Sequence, residues 1–229
     1  MNTIAPVPNV ISPQTSKPLL TFTHTLSPYG PLAWLIQGLN DIEKTRLIIK
    51  ALEQFPPPNF RELIVGYDTI LLQFSEPITK NLLLTHLQSL QEKKPPTEKP
   101  STHKIPLRYD GPDLAEVAQG LQLSLKKLIE LHSEVTYTVR FLGFSPGFAY
   151  LDGLPEKLHL PRRDSPRTRM EIGAVAIGAS HAGIYTIPSP GGWHWLGNTK
   201  TPLFFPERND TSAFVLNPGD QIQFTPVSP

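Results

Sequence analysis

The chain has 229 residues, a length that suits one large domain or two small ones. Its 21 basic and 20 acidic side chains nearly cancel, which excludes a strong field for binding nucleic acid or an acidic membrane. Cysteine is absent, which excludes disulfides, thiolate metal sites and a cysteine nucleophile, and 26 prolines disfavour a bundle of long helices.

The sequence begins with a segment that is poor in apolar side chains. Residues 1–18 contain four prolines and one charged side chain, which predicts a flexible arm. The residues that follow are rich in leucine and threonine and predict strands at Leu19–Thr25 and Leu32–Gln37. Between these strands, the Ser-Pro-Tyr-Gly sequence at Ser27–Gly30 predicts a turn.

A helix and a hairpin are predicted next. Asn40 and Glu43 have the spacing of a capping box, and the helix that they begin should end before the prolines at 56–58. Apolar runs at Leu63–Val65 and Ile70–Phe74 flank a Gly-Tyr-Asp sequence, which is typical of a β-hairpin.

A second helix, capped by Thr79, completes the first half of the chain. The order of strands, helix, hairpin and helix is that of a split β-α-β unit, so residues 19–91 are predicted to form a small ferredoxin-like α+β domain. Residues 92–104 mix lysine, glutamate and proline without periodicity and are predicted to be a linker.

One strand and two short helices are predicted after the linker. The strand covers Ile105–Tyr109, and the helices cover about 113–119 and 125–133, the second capped by Ser124. A DNA-binding helix-turn-helix is the less favoured interpretation, because the segment offers only two lysines and its spacing fits ordinary packing.

The remainder of the sequence has an all-β pattern punctuated by glycine and proline. This pattern predicts a small barrel over residues 105–229. The predicted strands are Tyr137–Phe141, Ala174–Ile177, Gly183–Ile187, Trp193–Leu196, Ala213–Leu216 and Gln221–Thr225.

An arginine cluster in segment 141–205 is the main candidate for binding chemistry. Four arginines lie within eight residues, at Arg162, Arg163, Arg167 and Arg169. Guanidinium groups suit a carboxylate or a phosphate, because both accept paired hydrogen bonds. The alternative interpretation gives these arginines structural ion pairs with Asp164, Glu156 and Glu171.

Several familiar catalytic patterns are missing from the sequence. It contains no phosphate-binding glycine loop, no histidine spacing typical of a metal site, and no serine elbow at Ser145 or Ser189. This favours a binding module or one subunit of a composite enzyme, with no metal. No apolar run is long enough to span a membrane and no signal peptide is apparent, so we expect a cytoplasmic protein.

Six stretches in the second half resemble those of one known family, the B-type subunit of 5-oxoprolinase. This family is also called allophanate hydrolase subunit 1 or Kip-type kinase inhibitor, and it carries a carboxyltransferase domain. The matching stretches are Gly143–Leu154, Pro161–Arg169, Gly173–Ile177, Gly183–Tyr185, Ser189–Trp193 and Pro218–Asp220.

The resemblance implies that the barrel over residues 105–229 is cyclophilin-like. It also implies one component of an ATP-dependent hydrolase that opens 5-oxo-L-proline to L-glutamate. It implies ATP as a cofactor shared with partners, and it implies that those partners are similar to the enzyme's C-type subunit, a second barrel, and to its A-type subunit. The residues that it implies for substrate binding are Phe148, Arg167, Arg169, His181, Tyr185, Trp193 and Asn198.

The chain departs from the family pattern at several of these positions. His181 and Ala182 replace a usual Gln-Thr pair, Asn198 replaces an arginine, and Glu171 replaces a proline. Such departures imply an altered substrate or a lost activity. The alternative function is therefore a non-catalytic regulator that binds a partner such as a sensor histidine kinase. Prolyl isomerisation is a more distant third, since only the barrel shape suggests it.

Overall fold

The computed structural model describes residues 24–90, 93 and 99–228, so the predicted arm at 1–18 lies outside the described residues. The architecture is mixed α/β with few helices, and its seven-stranded sheet curls into a nearly closed barrel. A four-stranded sheet precedes the barrel strands along the chain, and a separate two-stranded ribbon is formed within the second half.

The first sheet and its two helices form the first half of the described chain. They comprise β1 (Thr25–Pro28), β2 (Ala33–Gln37), α1 (Ile42–Gln54), β3 (Phe60–Val65), β4 (Thr69–Phe74) and α2 (Lys80–Ser89). The strand order is β1-β2-β4-β3, and all neighbours are antiparallel. Strands β2 and β3 are therefore parallel to each other, with β4 between them. This is the split β-α-β connection that the sequence predicts.

Helix α1 begins one residue later than the capping box predicts. Asp41, in extended conformation, is the N-cap, and its carboxylate accepts a hydrogen bond from the backbone N of Lys44 at 3.1 Å. Glu43 is consequently too early in the helix to reach back to the cap, and it pairs with Arg46 at 3.2 Å instead. The helix ends at Gln54, just before the prolines, as predicted.

The first strand is also displaced from its prediction. Most of the predicted strand Leu19–Thr25 lies outside the described residues, and β1 continues through Ser27 and Pro28, where the sequence predicts a turn. Proline is acceptable there because β1 is the edge strand, so its missing N–H costs no hydrogen bond within the sheet. The chain reverses after Pro28, where Tyr29 N donates to Ala33 O at 2.8 Å.

Two local predictions in this half are confirmed. The hairpin joins β3 to β4, with Gly66 N donating to Thr69 O at 2.8 Å. Thr79 caps α2, since its hydroxyl accepts a hydrogen bond from Leu82 N at 3.3 Å. The helix then packs Leu83 and Leu87 against the sheet's apolar core.

The second half contains the barrel, two helices and the ribbon. The elements are β5 (Thr102–Leu107), α3 (Leu114–Gly120), α4 (Leu125–Ser133), β6 (Tyr137–Leu142), β7 (Ala149–Asp152), β8 (Arg167–Met170), β9 (Ala174–Gly178), β10 (His181–Ile184), β11 (Ser189–Gly191), β12 (His194–Asn198) and β13 (Gln221–Pro226). The barrel order is β12-β9-β10-β7-β6-β13-β5, while β8 and β11 form the ribbon.

The two edges of the barrel sheet meet just beyond β5. Arg108 N donates to Asn198 O at 3.0 Å, and Asn198 N donates to Arg108 O at 2.8 Å. This backbone bridge connects the first strand of the barrel to β12 at the opposite edge. The interior is filled by apolar side chains from all around the sheet.

Two barrel predictions are corrected by the structure. Residues 213–216 form no strand, because the Asp210 carboxylate accepts from Ser212 N at 2.8 Å and turns the backbone into a short 3-10 helix, Thr211–Ala213. Strand β5 begins inside the predicted linker 92–104, because it pairs in parallel with β13 from Thr102 onward.

Arg140 of β6 joins the barrel to the first half of the chain. Its buried guanidinium donates three hydrogen bonds to backbone carbonyls of the first half, at 2.6 Å to Tyr67, 3.0 Å to Asn40 and 2.7 Å to Leu39. It also lies over the ring of Tyr67, 4.8 Å from its centroid. One side chain therefore holds two separate loops of the first half against β6.

Replacing Arg140 by lysine is expected to destabilise the protein by about 1–2 kcal/mol. A lysine keeps the positive charge, but its compact ammonium cannot reach three diverging carbonyls as the planar guanidinium does. Urea denaturation followed by circular dichroism measures the change. Lys126→Arg, on a side chain that is 87% exposed, is the matched control, and an equal loss in both variants would contradict the assigned role.

Candidate ligand-binding site

Three loops of the second half converge on one cleft beside the barrel. The loop 143–148 joins β6 to β7, the segment 161–166 precedes β8, and residues 191–193 begin at the last residue of β11. The cleft has a volume of about 180 Å³. It is lined by Phe144, Phe148, Tyr150, Arg162, Arg163, Pro166, Tyr185, Gly191, Gly192 and Trp193.

Aromatic rings form the walls of this cleft. The Phe148 ring lies 4.9 Å from that of Tyr185 and 5.7 Å from that of Trp193, each nearly perpendicular. Gly183 makes this packing attainable, because a Cβ there would lie 2.7 Å from the Phe148 ring and 3.0 Å from the Trp193 ring. The glycine of the Gly-Ile-Tyr stretch is therefore required by the site's walls.

Tyr185 contributes a phenol that remains neutral near physiological pH. Burial raises the pKa of Tyr185 to about 12, and Tyr150 adds to the rise, while the positive charge of Arg162 opposes it. The phenol can thus donate or accept a hydrogen bond, but it is no base at pH 7. Arg162 is an exposed side chain of the lining and supplies the cleft with a cation.

Two neighbouring arginines are held by one buried carboxylate. Asp113, 1% exposed, accepts hydrogen bonds from Arg163 Nη1 at 2.9 Å, from Trp195 N at 2.8 Å, and from Arg167 Nη2. Arg163 N also donates to Gly192 O at 2.8 Å. The loop that carries Arg162 is therefore anchored to the start of α3 and to β12.

The predicted substrate-binding residues fall into two groups. Phe148, Tyr185 and Trp193 line the cleft together. Arg167 lies next to the cleft, but its guanidinium pairs with Asp113 rather than with Asp164 or Glu171, the partners that the sequence suggests.

The other three predicted residues lie away from the cleft. Arg169 is exposed and donates to Glu171 at 2.9 Å, and Asn198 donates to Asp110 at 2.7 Å at the barrel seam. His181 stands at the far end of β10, 3.2 Å from Asp152. Tyr185 lies four residues further along the extended chain, which corresponds to roughly 13 Å.

The departures from the family pattern are consequently outside the cleft lining. Glu171 and Asn198 have the polar partners just described, and Ala182 is fully buried in the barrel core. His181 contacts Asp152 and lies 5.2 Å from the Tyr67 ring, at the junction with the first half. None of these four departures is a residue of the cleft lining.

The sequence prediction missed several residues of this site. Tyr150 lies two residues after Phe148 in the Phe-Ala-Tyr stretch, and this spacing places side chains on the same face of a strand. Arg162 belongs to the arginine cluster but is not among the residues predicted to bind substrate. Asp113 gives no signal, because it lies 50 residues before the first arginine that it binds.

Two further observations concern only the described part of the chain. Within it, no group of three or more histidine, aspartate or glutamate side chains could hold a metal ion. No described helix combines the length and apolar character needed to cross a bilayer.

Comparison with known proteins assigns the family. Residues 24–214 match the family model of the carboxyltransferase domain, subdomain C and D, so the chain belongs to this family. The B-type subunit of 5-oxoprolinase from Escherichia coli O157:H7 is 43% identical over 176 residues, covering 74% of this chain and 79% of that protein. The B-type subunit from Haemophilus influenzae is 45% identical over 53% of this chain and 57% of its own length. The resemblance stated from the sequence is confirmed.

Solved structures agree with the fold. TTHA0988 has a TM-score of 0.74 at 34% identity and matches 86% of this chain, which spans only 40% of that longer protein. PH0987 from Pyrococcus horikoshii has a TM-score of 0.52 at 31% identity, covering 89% and 97% of the two chains. The K. lactis urea amidolyase, 18% identical with a TM-score of 0.69 over 94% of this chain and 15% of its own, shares the fold.

Proposed function

We propose that this chain is the B-type subunit of a 5-oxoprolinase-type, ATP-dependent amidohydrolase that converts 5-oxo-L-proline to L-glutamate. The observation that carries the proposal is the cleft, which combines aromatic walls, a neutral phenol and an exposed arginine. These groups suit a small ring with one carboxylate. The names of the similar proteins support the same substrate.

In this proposal each group of the cleft has one task. The lactam ring lies against the contacting rings of Phe148, Tyr150 and Trp193. Arg162 binds the carboxylate through paired hydrogen bonds. The phenol of Tyr185 donates a hydrogen bond to the ring carbonyl. Asp113 fixes the loop on which Arg162 stands, so that the arginine is positioned before the substrate arrives.

ATP and the partner proteins complete the proposed reaction. The γ-phosphoryl group of ATP would be transferred to the lactam carbonyl oxygen, with release of ADP. One water would then attack the carbonyl carbon and expel the ring nitrogen, which takes up a proton as the ring opens. A second water would hydrolyse the resulting acyl phosphate to L-glutamate and phosphate. A volume of about 180 Å³ is below the usual range of roughly 300–1,000 Å³ for ligand pockets, so the cleft does not enclose a nucleotide. We place ATP with the C-type and A-type partners of a hetero-oligomer.

The proposal extends to the domain layout. Residues 19–91 would form a ferredoxin-like domain in which β1 takes the position of the fourth strand, and residues 105–229 a cyclophilin-like barrel domain. Separate apolar clusters in the two halves support this division. Limited proteolysis should first cut within residues 1–18 or 92–104, and cleavage within 141–205 before either of these would argue against it.

The decisive experiment measures glutamate release by the assembled protein. The chain is co-expressed with its C-type and A-type partners, and glutamate is measured with 5-oxo-L-proline, with and without ATP. The isolated chain should be inactive, because its sequence contains no nucleotide-binding loop. A stable assembly that binds ATP but releases no glutamate would favour the regulatory alternative.

Arg162→Ala is expected to weaken binding of 5-oxo-L-proline by about 10–100-fold without lowering the thermal midpoint. The lost charge-assisted hydrogen bonds contribute about 1.5–3 kcal/mol, and the exposed side chain contributes little to folding. Isothermal titration and thermal unfolding of the same protein measure both effects. Arg169→Ala, from an exposed arginine outside the cleft, is the matched control and should bind as the unaltered chain does.

A further inference from the structure

Tyr150 is held on three sides by other aromatic rings. Its ring stacks on that of Phe141, with 4.4 Å between the centroids and an angle of 7° between the planes. The rings of Phe148 and Trp193 contact it edge-to-face, at 5.0 Å and 5.6 Å between centroids. Three contacts of this kind hold the ring, and the hydroxyl that it carries, in one position.

The hydroxyl of Tyr150 makes no hydrogen bond within the part of the chain that the structure describes. Its oxygen is not sealed inside the protein, and the residue belongs to the cleft lining, so a ligand in the cleft has access to this group. Ligand sites typically combine apolar walls with a few fixed polar groups that orient the ligand. An immobile hydroxyl without a protein partner is suited to that task.

The hydroxyl of Tyr185 is a second such group in the cleft, again without a hydrogen bond among the described residues. A Cβ on Gly191 would lie 2.4 Å from this oxygen, so the hydroxyl end of Tyr185 packs on the backbone of another lining residue. The rings of Tyr150 and Tyr185 both contact Phe148, at 5.0 Å and 4.9 Å. Tyr150 also contributes electrostatically to the raised pKa of Tyr185, as expected for neighbouring hydroxyls.

We propose that Tyr150 is a specificity-determining residue, whose hydroxyl accepts a hydrogen bond from the ring N–H of the ligand, so that the cleft selects cyclic amides with a hydrogen on nitrogen. The inference rests on the proposed function in two respects, that the cleft is the ligand site and that Tyr185 donates to the ring carbonyl. It adds which group of the ligand is selected and which residue selects it.

The physical reason is the pairing of donors with acceptors. An unsubstituted lactam presents an N–H donor directly beside a carbonyl acceptor. A phenol both donates and accepts, so two neighbouring phenols match this pair, with Tyr185 at the carbonyl and Tyr150 at the N–H. A lactone of the same ring size has an oxygen in place of the N–H. This oxygen has no hydrogen to donate, and as an ester oxygen it is a poor acceptor when the phenol donates instead.

Solvent access sets the size of the selection. A site whose polar groups are sealed from water rejects an analogue that lacks the matching group by roughly 10⁴-fold or more. The hydroxyl of Tyr150 is open to the cleft, so water can replace a missing N–H. The expected preference for the lactam is therefore about tenfold, which corresponds to the net contribution of one ordinary hydrogen bond.

The test compares 5-oxo-L-proline with its lactone analogue, 5-oxotetrahydrofuran-2-carboxylate of the same configuration. The two share charge, ring size, saturated ring carbons and carbonyl, and differ in the ring N–H. Each is titrated calorimetrically into the full chain, and the lactam should bind about tenfold more tightly. Tyr150→Phe keeps the ring packing and should reduce this preference to about twofold or less, by weakening the lactam and not the lactone.

Two further variants that remove a phenol hydroxyl make the test specific. Tyr185→Phe removes the donor to the carbonyl, which both ligands carry, so both should bind more weakly and the preference should remain near tenfold. Tyr29→Phe, on a side chain that is 62% exposed and outside the cleft lining, is the matched control and should change neither affinity.

The outcomes separate this inference from the proposed function. If the unaltered chain binds both ligands through Arg162 and Tyr150→Phe keeps the preference for the lactam, the role of Tyr150 is wrong and the proposed function stands. A preference that is lost in Tyr185→Phe and kept in Tyr150→Phe would assign the N–H to the other phenol, and would likewise overturn the inference. If neither ligand binds, the cleft is not the ligand site, and both proposals are overturned.

Discussion

Replacing Asp113 by alanine is expected to destabilise the protein by about 3 kcal/mol, because two arginines and one backbone N–H would lose their shared acceptor. Removing one partner of a buried ion pair costs roughly 3–5 kcal/mol. The lower figure applies here, since Arg163 and Arg167 are 23% and 30% exposed and can be partly rehydrated. Trp195 N would also lose a hydrogen bond of 2.8 Å.

Two comparisons make this prediction specific. Asp113→Asn keeps the shape and one acceptor but removes the charge, so it should lose about 1–2 kcal/mol. Asp164→Ala, from an exposed position on the arginine loop, is the matched control. Chemical denaturation measures all three variants. A loss below about 1 kcal/mol for Asp113→Ala would contradict the role given to this carboxylate.

The ion pair with Asp113 changes the expected effect of replacing Arg167. If Arg167 bound the substrate, replacing it would weaken substrate binding and leave the folding stability unaffected. Paired with Asp113, it should instead contribute mainly to stability, as in the structural interpretation of the arginine cluster. In the proposed function the cation offered to a ligand is Arg162, and Asp113 would affect binding through the loop that carries this arginine.

Features determined by short stretches of sequence could be predicted. Thr79 and Ser124 cap their helices because a hydroxyl three residues before a backbone N–H is sufficient, whatever the rest of the chain does. The β3–β4 hairpin follows from its turn in the same way. The predicted start of α1 was wrong by one residue, because Asn40 and Asp41 are adjacent and both residue types cap helices.

Features that depend on distant parts of the chain could not be predicted. Asp113 is the N-cap residue of α3, but its side chain makes no cap hydrogen bond and pairs instead with arginines 50 and 54 residues away. Pairing with β13 also determines that β5 begins at Thr102. The segment around this start is rich in lysine and proline and does not predict a strand by itself.

The aromatic walls of the candidate site could be predicted from the sequence, but the positions of its charged side chains could not. Phe148, Tyr185 and Trp193 follow from the resemblance to the family. Arg169 and His181 were predicted to bind substrate because of their residue types and the motifs beside them. Neither feature shows on which side of a strand, or at which end of it, a residue lies. In the structure, β10 separates His181 from the cleft by its whole length.

Acidification from pH 7 to pH 4 is expected to reduce the free energy of unfolding by about 3 kcal/mol through His132 alone. The ring is fully buried, stacked 5.0 Å from Phe224, with Nδ1 2.8 Å from the Tyr109 hydroxyl. Burial lowers the pKa of His132 from 6.5 to about 3. The unfolded chain therefore binds a proton below pH 6.5 that the folded chain refuses until about pH 3, and each pKa unit contributes about 1.4 kcal/mol.

His132→Phe should remove this pH dependence while preserving the ring packing. Phenylalanine has no proton to gain, and it also eliminates the buried Nε2, which has no hydrogen-bond partner among the described residues. Urea denaturation at pH 7 and pH 4 measures the difference in unfolding free energy, with His159→Phe, at an exposed position, as the control. If His132→Phe loses as much stability on acidification as the unaltered chain, other groups must cause the acid sensitivity. If His132→Phe instead keeps its unfolding free energy at pH 7 and loses little of it at pH 4, the His132 ring, between α4 and β13, causes the acid sensitivity.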